Sequence, residues 1–439
     1  MSGFAIGLLG FVALLVLMAV RIPIGVAMLF TGMVGYVIVS GWMPLLGHLK
    51  TGAYYQFSTY SLSVIPLFVL MGEFATHAGM SKALFKAANT WLGHRRGGMA
   101  MAAIGGCAAF GSICGSSLAT AATMAQVALP EMRRYHYSGA LSTGALAAGG
   151  TLGILIPPSV ILVIYAILTE QNIGRMFIAA MVPGVLAALG YMLAVAVYVR
   201  LYPEAGPAGP KASSAERLSS FKETWAVALI FLLIIVGIYR GWFTPTEGAA
   251  VGAFGTGVLA IVHGGMRWKG VMECLYSTAQ TTAMIFLILL GAETFNAFLG
   301  LTGMPIEAAR LIGESGFSPM LVLILILLLY LVLGCVMDSM SMLLLTIPIF
   351  FPIIAVLDFG LGPDETLIWF GILAVIVVEV GLITPPVGMN VFIINGLARD
   401  VPMIESFKGV LPFLLTDVIR VVLLIAFPVI TLGLVRILE

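Results

Sequence analysis

Apolar and polar positions fall in long blocks along this 439-residue chain. About 20 apolar residues cross a bilayer as a helix. Runs at 4–20, 24–41, 60–78, 138–168, 175–200, 224–240, 247–263, 277–299, 365–397 and 409–436 predict membrane spans. Two more apolar regions, 99–130 and 317–357, are too short for two comfortable spans each. Both carry small polar residues at their middle: Gly111-Ser112 to Ser117 in one, Asp338-Ser339-Met340-Ser341 in the other. The pattern predicts two re-entrant hairpins whose tips stop inside the membrane. Bare backbone is tolerated there only when it is buried in protein or lines a polar cavity. Segments 81–93 and 305–314 have one charged face and one apolar face, as surface-lying helices do. Residues 202–223, rich in Pro, Gly and Ser, read as a polar linker between two halves.

Composition narrows the class. Hydrophobic residues make up 61% and charged residues 9%, against about a quarter charged in soluble domains. A soluble enzyme and a disordered chain are excluded as whole-chain readings. The 21 Lys+Arg against 20 Asp+Glu leave no basic surplus for nucleic acid. Cys107, Cys114, Cys274 and Cys335 form no Cys-x-x-Cys pair and have no His cluster, so they read as apolar filler. The start of the chain lacks a cationic leader and reads as a retained span.

The two halves, 1–201 and 224–439, match each other. Gly111-x3-Gly115-Ser116 and Thr123 lie 223 residues before Gly334-x3-Asp338-Ser339 and Thr346. Phe74-x4-Gly79-Met80 recurs as Phe298-x4-Gly303-Met304. Gly153-Ile-Leu-Ile-Pro157-Pro158 recurs as Gly381-Leu-Ile-Thr384-Pro385-Pro386. Each half holds five spans and one hairpin. Five is odd, so the second half starts on the opposite side and the repeats are expected to be inverted, an architecture of many secondary transporters. With Arg21 placed inside, fifteen basic residues fall on the cytoplasmic side and four outside, as the positive-inside rule asks. Both termini then lie outside. The first hairpin opens from the cytoplasm and the second from the exterior.

Candidate chemistry concentrates at the hairpins and the Pro-Pro breaks. A Pro-Pro inside a helix removes backbone donors and frees carbonyls a turn earlier, around Gly153 and Gly381. Carbonyls and hydroxyls are hard ligands for a small cation. The helix after each break starts with unpaired N–H groups and a positive dipole end, which suit an anion. Each half thus supplies a hairpin tip and a broken helix, and Pro157, Pro158, Pro385, Pro386 and Asn390 become candidates for holding an anionic substrate. The same Gly and Ser residues also permit close helix packing. Asp338 either serves a cation site or bonds the backbone of its own tip. Glu73, Glu293 and Glu379 are proton-relay candidates or hydrogen-bonded structural acids. Asp417 and Arg420, three apart, read as an ion pair. Asn390 donates either to a carboxylate substrate or to a neighbouring helix. There is no Gly-x-Ser-x-Gly elbow and no Walker A sequence, so no enzyme is expected.

The paired tips Gly-x3-Gly-Ser-Ser and Gly-x3-Asp-Ser, with Gly-Ile-Leu-Ile-Pro-Pro-Ser and Gly-Leu-Ile-Thr-Pro-Pro-Val-Gly-Met-Asn, resemble the large membrane subunit of tripartite ATP-independent periplasmic (TRAP) transporters. The resemblance runs over essentially the whole chain. It implies an all-α, elevator-type secondary transporter in a bacterial inner membrane, importing organic acids such as C4-dicarboxylates or sialic acid. It implies Na⁺ as coupling ion and no other metal or cofactor. It implies a small four-span membrane subunit, here a separate polypeptide, and a periplasmic binding protein as partners. Carried onto this chain, one cation site falls at Ser112, Gly115, Ser116, Ser117 and Gly153, and the other at Gly334, Asp338, Ser339, Gly381 and Thr384. Spans 4–41 and 224–263, with the amphipathic arms, become the scaffold that meets the small subunit. The alternatives are a stand-alone Na⁺- or H⁺-coupled transporter of the same superfamily and, in a different class, a passive channel.

Overall fold

A computed structural model describes residues 2–314 and 316–438. Among the described residues the secondary structure is helical throughout, with no strand. The first half runs α1 (Gly3–Ala19), α2 (Ile24–Ser40), α3 (Trp42–Ser58), α4 (Val64–His77), α5 (Met80–Leu92), α6 (Gly98–Cys114), α7 (Ser117–Arg134), α8 (Gly139–Leu155), α9 (Val160–Leu168) and α10 (Ile173–Leu201). The second half runs α11 (Ser214–Tyr239), α12 (Pro245–Val262), α13 (Trp268–Thr302), α14 (Met304–Glu314), α15 (Pro319–Gly334), α16 (Ser339–Val356), α17 (Pro363–Gly381), α18 (Met389–Leu397), α19 (Met403–Ala426) and α20 (Val429–Leu438). Six of the described helices are long and apolar enough to cross a membrane, and eight candidate spans result if each of two bent pairs counts as one.

The predicted hairpins are α6–α7 and α15–α16, and the amphipathic arms are α5 and α14. The Pro-Pro breaks separate α8 from α9 and α17 from α18, and both Pro-Pro bonds are cis. Three features differ from expectation. Residues 42–58 form a helix that no apolar run announced, because His48, Lys50 and Gln56 interrupt it. It meets the following Tyr60–His77 segment at 59°, where the second half has one 35-residue helix, α13. The polar stretch expected to be linker is already helical from Ser214, because Ser213 and Glu216 form a capping box. The last apolar run breaks at Phe427-Pro428 into α19 and α20; a proline there has no N–H to carry the helix on.

Contacts between the halves come in matched pairs. Helix α2 packs on α13, and α12 on α4. Helix α1 meets α14, and α11 meets α5. Helix α7 meets α18, and α16 meets α9. Helix α8 packs on α19, and α17 on α10. Two groups result. One gathers α1–α4 and α11–α13. The other gathers the hairpins, the broken helices and α10 and α19. The arms bridge them: α5 touches α6 and α11, while α14 touches α16 and α1. The first group leaves apolar side chains bare, such as Val12, Val16, Phe30, Trp225, Leu229 and Phe254. In a bilayer such faces meet lipid or another subunit at no hydrophobic cost.

Candidate functional site

At the first tip, α6 ends at Cys114 and Gly115 turns the chain with φ +65°. Only glycine adopts that backbone without strain. The Gly115 N–H donates to the Gly111 carbonyl at 2.7 Å. Ser116 is extended and N-caps α7, its hydroxyl accepting from the Ala119 N–H at 3.4 Å. At the second tip Asp338 takes the capping place of α16, its carboxylate accepting from the Ser341 N–H at 3.0 Å. Asp338 therefore does bond its own tip backbone. Both tips present the positive end of a following helix, a built-in attraction for negative charge.

Behind each tip the backbones cross at glycine. A Cβ on Gly111 would collide with the Cα of Gly153, and one on Gly381 would stand 2.6 Å from the Cα of Gly334. Hairpin and broken helix are thus in backbone contact in both halves, at the same places in the sequence repeat.

The tips meet across one cavity of about 530 Å³. Gly115, Ser116, Ser117, Asp338, Ser339 and Ser341 line one side, with Ile154 and Leu382 from the broken helices. The opposite wall is Pro23–Gly25 of α2, Gly72, Glu73 and Thr76 of α4, and Thr281 to Ile288 of α13. The cavity lies between the two helix groups. Its lining among the described residues carries two acids, Glu73 and Asp338, and no Lys, Arg or His. Glu73 is held from behind by the Ser277 hydroxyl, which donates to it at 2.6 Å.

The other predicted residues sit away from that lining. The Ser112 hydroxyl donates to the Ala109 carbonyl at 2.8 Å. Thr384 donates to the Val380 carbonyl at 2.6 Å. Gly153, Gly334 and Gly381 occupy the backbone crossings. Pro157 and Pro158 are buried, whereas Pro385 and Pro386 are exposed. Asn390 is buried and donates to the Ala147 carbonyl of α8 at 3.3 Å, the helix-to-helix bond, while its own side-chain oxygen has no partner. Glu293 of α13 lies 3.4 Å from His48 of α3, both in the first helix group. Asp417 pairs with Arg420 at 2.7 Å and accepts from Tyr191 at 2.8 Å. That buried pair ties α10 to α19.

Glu73, a relay or structural acid by its sequence, faces the tips across the cavity. Two further residues carry no signal of their own in the sequence motifs. Thr120 and Ser159 have buried hydroxyls without partners. Thr120 points at the Gly153 crossing, and Ser159 follows the first Pro-Pro break. Thr120 falls three and four residues after Ser117 and Ser116, hence on their helix face, which was the available signal. An unpartnered buried hydroxyl is costly. Two of them beside a tip and freed backbone are a donor set that fits a small hard cation.

Residues 11–430 match the family described as "Tripartite ATP-independent periplasmic transporter, DctM component". The chain is 36% identical to the C4-dicarboxylate TRAP transporter large permease protein DctM of Pseudomonas aeruginosa, over 85% of this chain and 86% of that one. It is 33% identical to the sialic acid TRAP transporter large permease protein SiaM of Vibrio cholerae, over 85% and 86%. In fold it resembles the crystal structure of the Alcanivorax borkumensis YdaH transporter, with a TM-score of 0.64 over 92% of this chain and 96% of that one, at 15% identity.

Proposed function

Because the chain belongs to the DctM component family of tripartite ATP-independent periplasmic transporters, we propose that it is the large permease of a Na⁺-coupled uptake system for an organic anion. The substrate class is a C4-dicarboxylate, a sialic acid or a related carboxylate, the first two being named for its relatives. The partners are a small four-span membrane subunit, which covers the bare apolar faces of α1, α2, α11 and α12, and a periplasmic binding protein that delivers the substrate. The membrane is the bacterial inner membrane.

One observation carries this reading. Among the described residues, the cavity that joins the two tips is lined by two acids and no base. An organic anion entering it meets like charge, and the α7 and α16 helix ends offset that only in part. A cation bound at the tips supplies the missing positive charge, so anion binding depends on cation binding. That dependence is symport in thermodynamic terms, since linked binding is reciprocal. Gly115, Ser116 and Ser117 with Thr120 and Ser159 form one candidate donor set. Asp338, Ser339 and the backbone around Gly381 form the other. The matched contacts between halves support an inverted repeat. The two helix groups joined by α5 and α14 support an elevator, in which the hairpin group moves against the other.

The test is uptake by proteoliposomes holding this chain and its small subunit. Uptake is expected only with both binding protein and an inward Na⁺ gradient. Uptake without the binding protein points to a stand-alone transporter and overturns the tripartite reading. Conductance that never saturates identifies a channel instead. The elevator has its own check in a cysteine-free background: Pro386→Cys, at the exposed second break, reacts with a hydrophilic maleimide and Pro158→Cys, at the buried first break, does not, and Na⁺ with substrate changes that contrast. A contrast that is the same under all conditions argues for a fixed hairpin group.

A further inference from the structure

Glu379 is a fully buried carboxylate in the last turn of α17. It does not line the cavity between the tips. It nevertheless touches the tips from behind. The Ser339 hydroxyl of the second tip donates to its Oε1. The Ser117 hydroxyl of the first tip stands beside it, and Oε2 has no hydrogen-bond partner. Ser117 and Ser339 are both cavity-lining residues. One carboxylate thus stands behind the two tips, which come from opposite halves of the chain.

The surrounding charges do not balance. Asp417 and Arg420 of α19 are the charged neighbours that act on Glu379, and they already pair with each other. Tyr191 of α10 donates to Asp417 and keeps its proton in doing so. Tyr165 of α9 and Tyr330 of α15, the phenols on the other helices packed against α17, are neutral and engaged with Leu367 and Thr346. Two acids and one base leave one carboxyl without a counter-charge in a low-dielectric interior, where it is met by its own proton or by a cation. The nearest place to compensate it is the tips.

We propose that Glu379 is the common anchor of the two hairpin tips: it positions the Ser117 and Ser339 hydroxyls and supplies the negative charge that a cation held at the tips compensates. It is a positioning residue and touches no substrate. Through it, filling one tip changes the charge and the hydroxyl orientation felt at the other, so cation binding at the two tips is cooperative. This rests on the Na⁺-coupled reading above.

The experiment measures initial uptake against Na⁺ concentration in the reconstituted transporter with binding protein and substrate saturating. The wild type should activate sigmoidally. Glu379→Gln keeps one acceptor and removes the charge. Its half-saturating Na⁺ should rise about tenfold and its Hill coefficient fall toward one, with the maximal rate within about twofold of wild type. A curve identical to wild type, or a lower maximal rate with unchanged half-saturation and Hill coefficient, overturns the proposal. If Glu379→Gln does not assemble, Ser117→Ala, Ser339→Ala and the double variant decide. Both hydroxyls act through one carboxylate, so the double variant should shift the curve no further than the larger single change; additive shifts overturn the proposal. A wild type that ignores Na⁺ defeats the coupling reading itself, a result distinct from any of these.

Discussion

The first half closes its hairpin with a left-handed glycine and a serine cap; the second uses an aspartate cap. The first break spans Ile156 to Ser159 and is largely buried, whereas the second spans Leu382 to Gly388 and exposes both prolines. The segment leading to the first arm bends by 59°, and its counterpart is one continuous helix. What the halves share is backbone: glycine meets glycine behind each tip, at Gly111 with Gly153 and at Gly334 with Gly381. Polar side chains have diverged while the crossing has stayed. The crossing is therefore the geometric requirement, and each half solves the chemistry around it separately. The molecule carries its own control, since a change can be made at equivalent places in two chemical settings.

The largest effect tests the shared part. Gly111→Leu and Gly381→Leu each drive a side chain into the partner backbone. Overpacking typically costs about 1–3 kcal/mol and more when backbone is struck, so about 3 kcal/mol or complete loss of the folded protein is expected. The measurement is thermal unfolding of the detergent-purified chain. Gly300 of α13 has open space around it, so Gly300→Ala should be neutral or stabilising by up to about 1 kcal/mol. Equal melting of Gly381→Leu and wild type would show that the second crossing is not what locks hairpin to broken helix.

Much of this fold was legible because a bilayer permits so few solutions. A run of apolar residues reads as a span, and a Gly-Ser or Asp-Ser interruption inside one reads as a tip. What stayed hidden lay in polar helices or depended on distant segments meeting. Helix α3 and the start of α11 carry too many polar residues to resemble spans; α11 is set by its Ser213–Glu216 capping box, while α3 has no side-chain cap and lies against α2 and α13. The tips were found as residues, but their shared cavity was not, because its far wall comes from α2, α4 and α13. Glu73 is an unremarkable acid in sequence and gains meaning only opposite Asp338. Gly153, Gly334 and Gly381 were legible as special, and in the structure they sit where two backbones need room. Their carbonyls remain candidates at the cation sites, a question for function and not for packing.

The middle effect tests the diverged part. Asp338→Asn keeps a capping oxygen and removes a charge, whereas Ser116→Ala removes a cap and changes no charge. The alanine should lower stability by about 1 kcal/mol and shift Na⁺ activation by a few fold through the loosened tip. The asparagine should leave stability nearly unchanged and raise half-saturating Na⁺ by tenfold or more, because charged ligands dominate cation affinity. Melting and Na⁺-dependent uptake, measured on both variants, separate cap from charge. If Asp338→Asn loses stability and keeps its Na⁺ curve, the aspartate is only a cap and the two tips are chemically closer than they look.

The smallest effect concerns the arms. Arm α5 is tied to α11 by Lys86 and Glu223 at 2.9 Å. In arm α14 the charges pair within the helix, Arg310 reaching both Glu307 and Glu314 at 2.6 Å. Arg310 holds the Glu307 carboxyl below the usual carboxylate range through its hydrogen bond. A lowered carboxylate pKa means the network is intact at neutral pH and is lost as pH falls through the folded value. The Lys86–Glu223 pair is half exposed, and such pairs contribute about 0–1 kcal/mol. Lys86→Ala should therefore melt within about 1 kcal/mol of wild type, and Arg310→Ala should melt with wild type. Their rates should part company: Lys86 joins an arm to the other half, so its loss is expected to change uptake by about twofold, reproduced in wild type by high salt that screens the pair. Arg310 ties its arm only to itself, so Arg310→Ala should leave uptake unchanged. If both variants transport alike, the arm-to-helix tie is ornamental and the arms are equivalent in function despite their different wiring.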